Sequence, residues 1–93
     1  MAVGLLTLHL LINGSHSLKE KRQVLRSLKD RLRHRHNVSV AELDYQDSWQ
    51  RAVIGVAAVS PRLSQLEELL QRIADEAADQ LGADLTGTEV EVW

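Results

Sequence analysis

A chain of 93 residues, 44% apolar and 26% charged with a formal net charge of −2, reads as a single soluble globular domain spanning residues 1–93. Bulk charge of that size singles out no partner, and the absence of cysteine excludes disulfides, thiolate metal sites and cysteine nucleophiles together. A reducing compartment, the cytoplasm, is the expectation. Aromatic side chains make up 3% of the chain, as Tyr45, Trp49 and Trp93, so aliphatic residues must fill the core.

The apolar opening has no basic flank and no small-residue cleavage site, so it reads as a strand and not as an export signal. Val3 to Ile12 alternates Leu6, Leu8, Leu10 and Ile12 on one face with Leu5, Thr7, His9 and Leu11 on the other. Asn13-Gly14 ends that strand, and Ser17-Leu18-Lys19-Glu20 has the capping-box spacing that starts a helix. Val24, Leu25, Leu28 and Leu32 hold its apolar stripe, and the helix is expected to stop near His36 with Asn37 as a left-handed cap. Val38 to Tyr45 and Trp49 to Val59 then predict a hairpin about the turn Gln46-Asp47-Ser48. Ser60-Pro61 predicts an N-cap with proline at the first helical position. The second helix carries Leu63, Leu66, Leu70, Ile73 and Ala77 inward and ends at Gly82, and Thr88 to Trp93 is a final strand. The order βαββαβ predicts an α+β, ferredoxin-like sandwich, a four-stranded antiparallel sheet with two helices on one face. No apolar run approaches the roughly 20 residues that span a bilayer, so no membrane is expected.

The near-neutral total hides a split. Residues 19–36 hold eight of the eleven Lys and Arg against two acids, whereas residues 63–93 hold eight acids against Arg72 alone. At 100° per residue Arg22, Arg26, Lys29 and Arg33 fall within about 60° of one another, roughly 110° from the apolar stripe. Like charges at these spacings repel by about 0.2–0.5 kcal/mol per pair, so the isolated helix gains nothing from them. Three readings stay open: a solvated face, pairing with an acidic surface of this or another protein, and nucleic-acid phosphate. For the acidic helix the projection leaves only Glu67 and Glu76 on flanks that face a neighbour. If RNA is the partner, the inner strands offer no aromatic side chain except Trp49 at an end, so contacts fall on the backbone and not on bases stacked on the sheet.

Leu5, Leu11, Val53, Ala57 and Val59 point away from the helices if Leu6, Leu8, Ile54 and Val56 point toward them. That apolar open face predicts a homodimer, unless a bulge near Val40-Ala41 shrinks the patch. Little points to chemistry. His34 and His36, at i and i+2 on a helix end, diverge and predict no metal site, and no cofactor is implied. Glu42, Asp44 and Asp47 around a turn read as polar decoration. The Asn13-Gly14-Ser15-His16 loop matches neither glycine-rich phosphate motif. Small acyl-phosphate hydrolases share this size and topology but need an arginine in the first loop, and none precedes Arg22. No enzyme is expected.

Ser17-Leu18-Lys19-x-Lys21-Arg22, Asn37-Val38-Ser39-Val40-Ala41-Glu42 and Asp47-x-Trp49-Gln50-Arg51-Ala52 resemble the YlxP-like bacterial family of small uncharacterised proteins, over nearly the whole chain. The resemblance implies a ferredoxin-like fold and, through gene neighbours concerned with translation initiation and ribosome maturation, a connection to RNA or the ribosome. It attaches no reaction, cofactor or catalytic residue. The expectation is therefore an accessory RNA- or ribosome-binding factor that grips phosphates with Arg22, Arg26, Lys29 and Arg33, flanked by Lys19 and Arg51. The alternative is a homo-oligomeric structural or regulatory module that meets an acidic protein or a small ligand.

Overall fold

A computed structural model describes all residues 1–93. The elements run β1 (Ala2–Leu11), α1 (Leu18–Arg35), β2 (Ser39–Asp44), β3 (Arg51–Ser60), α2 (Leu63–Leu81), a 3₁₀ turn (Gly82–Asp84) and β4 (Leu85–Val92). The sheet order is β2-β3-β1-β4 with every neighbouring pair antiparallel, so each β-α-β crossover skips one strand and lays its helix on the same face. This is the ferredoxin-like sandwich expected from the element order.

Alternation in the two central strands decides which side is core. Leu6, Leu8 and Leu10 of β1 and Ala52, Ile54, Val56 and Ala58 of β3 are buried, facing Leu25, Leu28 and Leu32 of α1 and Leu66, Leu70, Ile73, Ala77 and Leu81 of α2. Leu63, placed inward by the helical period, is half exposed, because it opens α2 before the helix is over the sheet.

The helix ends depart from expectation in instructive ways. Ser17 caps α1 as the motif predicts, its Oγ accepting from Glu20 N at 3.1 Å, but the Glu20 carboxylate accepts from His16 N, one residue before the cap. Asn37 is not left-handed: the helix stops at Arg35, His36 is already extended (φ −137°), and Val38 N donates to His36 O. Ser60 is not the cap of α2 either. It still pairs with Ala2 in the sheet, which holds its backbone extended, so the helix starts after Arg62 and has no side-chain cap. The hairpin turn is wider than Gln46-Asp47-Ser48 and turns on Tyr45, the one non-glycine residue with positive φ (63°), whose N–H donates to Asp44 Oδ1. The irregularity in β2 lies between Glu42 and Asp44, not at Val40-Ala41, so Leu43 is an extra residue on that strand. β4 starts earlier than Thr88, at Leu85, and bulges opposite His9/Leu10. No helix is long and apolar enough to cross a membrane.

Candidate functional site

The side of α1 that faces β2 carries a groove of about 440 Å³ lined by Arg22, Arg26, Lys29, Arg33, Asp30 and Glu42, with Leu25 at its floor. All four residues of the sequence-derived basic stripe are therefore brought together. Arg22 and Arg33 stand eleven positions apart, about 16 Å of helix at 1.5 Å per residue. Arg33 Nη2 donates to Val40 O at 2.6 Å, which ties the far end of the stripe to β2 and leaves its other N–H groups free.

Which carboxylates neutralise the basic helix is decided by the ion pairs within 4.0 Å. Arg35 and His36 both reach Glu76 of α2, at 3.4 and 2.6 Å, and Lys21 reaches Glu42 at 3.1 Å. None of Arg22, Arg26, Lys29 and Arg33 has such a partner. Glu76 was one of the two acids placed on the flank of α2; Glu67, the other, is exposed and pairs with nothing. The hydrogen bond from His36 holds the Glu76 carboxyl below the usual carboxylate range against partial burial, with the charges of His36, Arg35 and Arg31 adding to the effect. Asp30 and Glu42 share the groove wall, so four cations meet two anions there, and a net positive charge faces solvent.

Two expected contacts fall elsewhere. Lys19 is exposed on the first turn of α1 without lining the groove. Arg51, at the first position of β3, lies on the opposite side of the sheet, its guanidinium 4.8 Å from the centre of the Tyr45 ring. It borders a different cavity, with His9, Val53 and Thr86, and so does not extend the stripe.

Sequence reasoning missed the residue that organises this end of the molecule. Lys21 is 1% exposed, and its Nζ donates to Tyr45 O (2.6 Å) and Arg51 O (2.9 Å), fastening α1 to both ends of the β2–β3 loop. Glu42 Oε2, in a side chain 19% exposed, lies 3.1 Å from the same nitrogen but outside hydrogen-bonding angles, so that contact is ionic and not a third hydrogen bond. The signal was present in the sequence: Lys21 is four, seven and eleven residues before Leu25, Leu28 and Leu32, on their face, and Glu42 alternates in phase with buried Val40.

On the open face Leu5, Leu11, Val53 and Ala57 are half-buried and Val59 is 64% exposed. Leu43, the extra residue of β2, folds over Gly55 and covers part of β3. Toward β4 the face turns polar, with His9 Nε2 donating to Glu89 Oε1 at 2.6 Å. The apolar patch is thus smaller than the alternation implied and displaced toward β2 and β3. A shallow depression of about 380 Å³ between Val3, Ala57 and Val59 marks its end.

Comparison with known proteins places the chain. It is 44% identical over 71 residues to the uncharacterized protein YlxP of Bacillus subtilis (strain 168), a match covering 76% of this chain and 77% of that one. Among solved structures it is similar to SnoaB, a cofactor-independent oxygenase from Streptomyces nogalater (10% identity, TM-score 0.53, 99% of this chain and 90% of that one). It is also similar to Foldit4, a de novo designed protein (15% identity, TM-score 0.50, 99% and 92%). At such identities these two show the shared fold and nothing of activity. The model of the family described as a protein of unknown function, DUF503, matches residues 3–90, and the chain belongs to that family.

Proposed function

We propose that the chain is an accessory factor that binds structured RNA by its phosphates, with the groove between α1 and β2 as the contact surface. One observation carries this reading: Arg22, Arg26, Lys29 and Arg33 line a single groove and none has a carboxylate within ion-pair distance, whereas Lys21 and Arg35 on the same helix, and His36 just past its end, do. Guanidinium forks arrayed along a helix suit phosphate oxygens, which accept two N–H groups side by side. The acidic exterior of α2, with Glu67, Glu68, Asp75 and Asp79 exposed, repels a polyanion and so favours approach from the α1 side. The ribosome enters the reading only through the family resemblance.

The test is a salt titration of binding to a structured RNA. Four neutralised phosphates give a slope of log K against log salt of about −3 to −4. Reversing Arg26 and Lys29 to glutamate is expected to lower affinity about tenfold and to reduce that slope by about two, alike for all RNA sequences. Unchanged affinity in the double variant removes the proposal.

A second reading concerns assembly. Val59 at 64% and Leu43 at 50% exposure flank Ala57 on the open face, and a second copy related by a two-fold axis would cover them. Light scattering over a concentration series is expected to give a dimer for the wild type and a folded monomer for Ala57→Glu. A wild-type chain that stays monomeric at the highest concentration reached defeats this reading without touching the first.

A further inference from the structure

The sequence holds two tryptophans, and the structure buries neither. Trp49 is 57% exposed, although a tryptophan on a small domain gains most by entering the core. The loop that presents it is nevertheless fastened at many points. Gln50 Nε2 donates to Asn13 O and Ser15 O, and Ile12 N donates to Gln50 O. Ser48 Oγ accepts from Arg51 N, and Ser48 N donates to Tyr45 O. Lys21 then clamps the carbonyls of Tyr45 and Arg51 from beneath. A loop backbone held this firmly presents its bare indole from a fixed position, so the cost of ordering the loop is met by the fold before any ligand arrives.

Beside the ring is a cavity of about 500 Å³ lined by Trp49, Leu11, Ser15, His16, Gln50 and Arg51. It sets an aromatic face beside the His16 imidazole and the Arg51 guanidinium, groups that stack on a base and hydrogen-bond its edge, while the Gln50 amide N–H groups and the Ser15 hydroxyl are already committed to backbone carbonyls. Its position matters as much as its chemistry. Lys21 is the residue before Arg22, the first member of the basic stripe, and it touches the backbone on both sides of the Trp49 loop. The phosphate groove and the aromatic surface therefore lie on two sides of one rigid junction.

We infer that Trp49 stacks on an unpaired RNA base that continues from a backbone gripped along α1, so that the preferred ligand is a junction between paired and single-stranded RNA. This rests on the phosphate reading of the α1 groove and adds a specificity to it. The stacking surface is a loop at the end of the sheet, off the central strands where related folds place their aromatic side chains.

The experiment uses the full chain and two RNA ligands, a blunt hairpin and the same hairpin with a three-nucleotide single-stranded extension. The wild type is expected to bind the extended hairpin about tenfold more tightly, the size of one stacked base. Trp49→Ala is expected to bring the two affinities together by weakening only the extended ligand, and Trp49→Phe, which keeps a ring, to restore much of the gap. In a Trp93→Phe background, where Trp49 is the sole indole, the extended hairpin should quench fluorescence and the blunt one should not. Equal binding of both hairpins by the wild type, or a gap that survives Trp49→Ala, overturns the stacking while leaving the phosphate groove standing. Failure of both hairpins to bind overturns the groove reading and the stacking with it.

Discussion

Replacing Lys21 with alanine is expected to destabilise the protein by about 3 kcal/mol, because it orphans an ionic partner and two carbonyls at a buried junction. For a domain of this size that is a drop in Tm of roughly 15 °C. The expectation sits at the lower edge of the range for breaking buried pairs, since Glu42 is 19% exposed and can turn toward water once the lysine is gone. The carbonyls of Tyr45 and Arg51 have less freedom: Arg51 is held in register opposite Leu11, and Tyr45 sits at positive φ against Asp44. Lys21→Met separates the polar term from packing of the aliphatic stem. Methionine refills the volume beside Leu25 and restores none of the hydrogen bonds, so it is expected to recover about 1 kcal/mol of the loss. Chemical denaturation of the three proteins measures this, and an alanine variant within about 0.5 kcal/mol of wild type would show that the junction holds without its lysine. Hydrogen exchange at Tyr45–Arg51 should rise in both variants, since that segment loses its tie to α1.

Lys21 also shows where reading the sequence stopped short. The alternating strands and the two helical stripes were legible because apolar periodicity reports burial directly, and from them the topology followed. The charges of α1 were sorted by a different rule, as members of an exposed stripe, and that rule has no place for a cation on the apolar face. Lys21 and Glu42 each occupy an inward position of their own element, and each is a misfit until the other is placed opposite it. Nothing short of the tertiary packing of α1 on β2 does that. The same limit explains Arg51. Its number placed it near the hairpin, but the parity of β3 sends it to the open face, where it lies over Tyr45. The misjudged caps at Asn37 and Ser60 share one cause. In each case the adjoining segment, extended from His36 or paired with Ala2, dictates the backbone before local residue preference acts.

The basic stripe, by contrast, was readable in full, since four residues at i, i+4, i+7 and i+11 on a helix of fixed pitch have no choice of face. What the fold adds is the inventory of who is already paired. Arg35 and His36 are paired with Glu76, and Lys21 with Glu42, whereas the four stripe residues that line the groove have no carboxylate partner, and neither do Lys19 and Arg31 outside it.

Two glycines in adjacent central strands provide the second large expected effect, because their crowding and their cost run in opposite order. A Cβ at Gly4 would stand 2.8 Å from Leu70 Cδ1 and 3.0 Å from Leu66 Cδ2; at Gly55 it would stand 2.7 Å from Leu43 Cδ1. Distance alone ranks Gly55 as the tighter site. The neighbours decide otherwise. Leu66 and Leu70 are fully buried where α2 crosses β1, so a methyl group at Gly4 must push the helix outward, whereas Leu43 is 50% exposed and can swing into solvent. Gly4→Ala is therefore expected to cost about 2 kcal/mol by overpacking, even after the smaller backbone entropy of the unfolded alanine chain is credited. Gly55→Ala is expected to lie within about 0.5 kcal/mol of wild type, the entropy gain offsetting the displaced leucine. Urea melts with a common m-value would establish the order, and a Gly55 variant as unstable as the Gly4 one would mean that Leu43 is a fixed part of the core and not a movable cover over the open face.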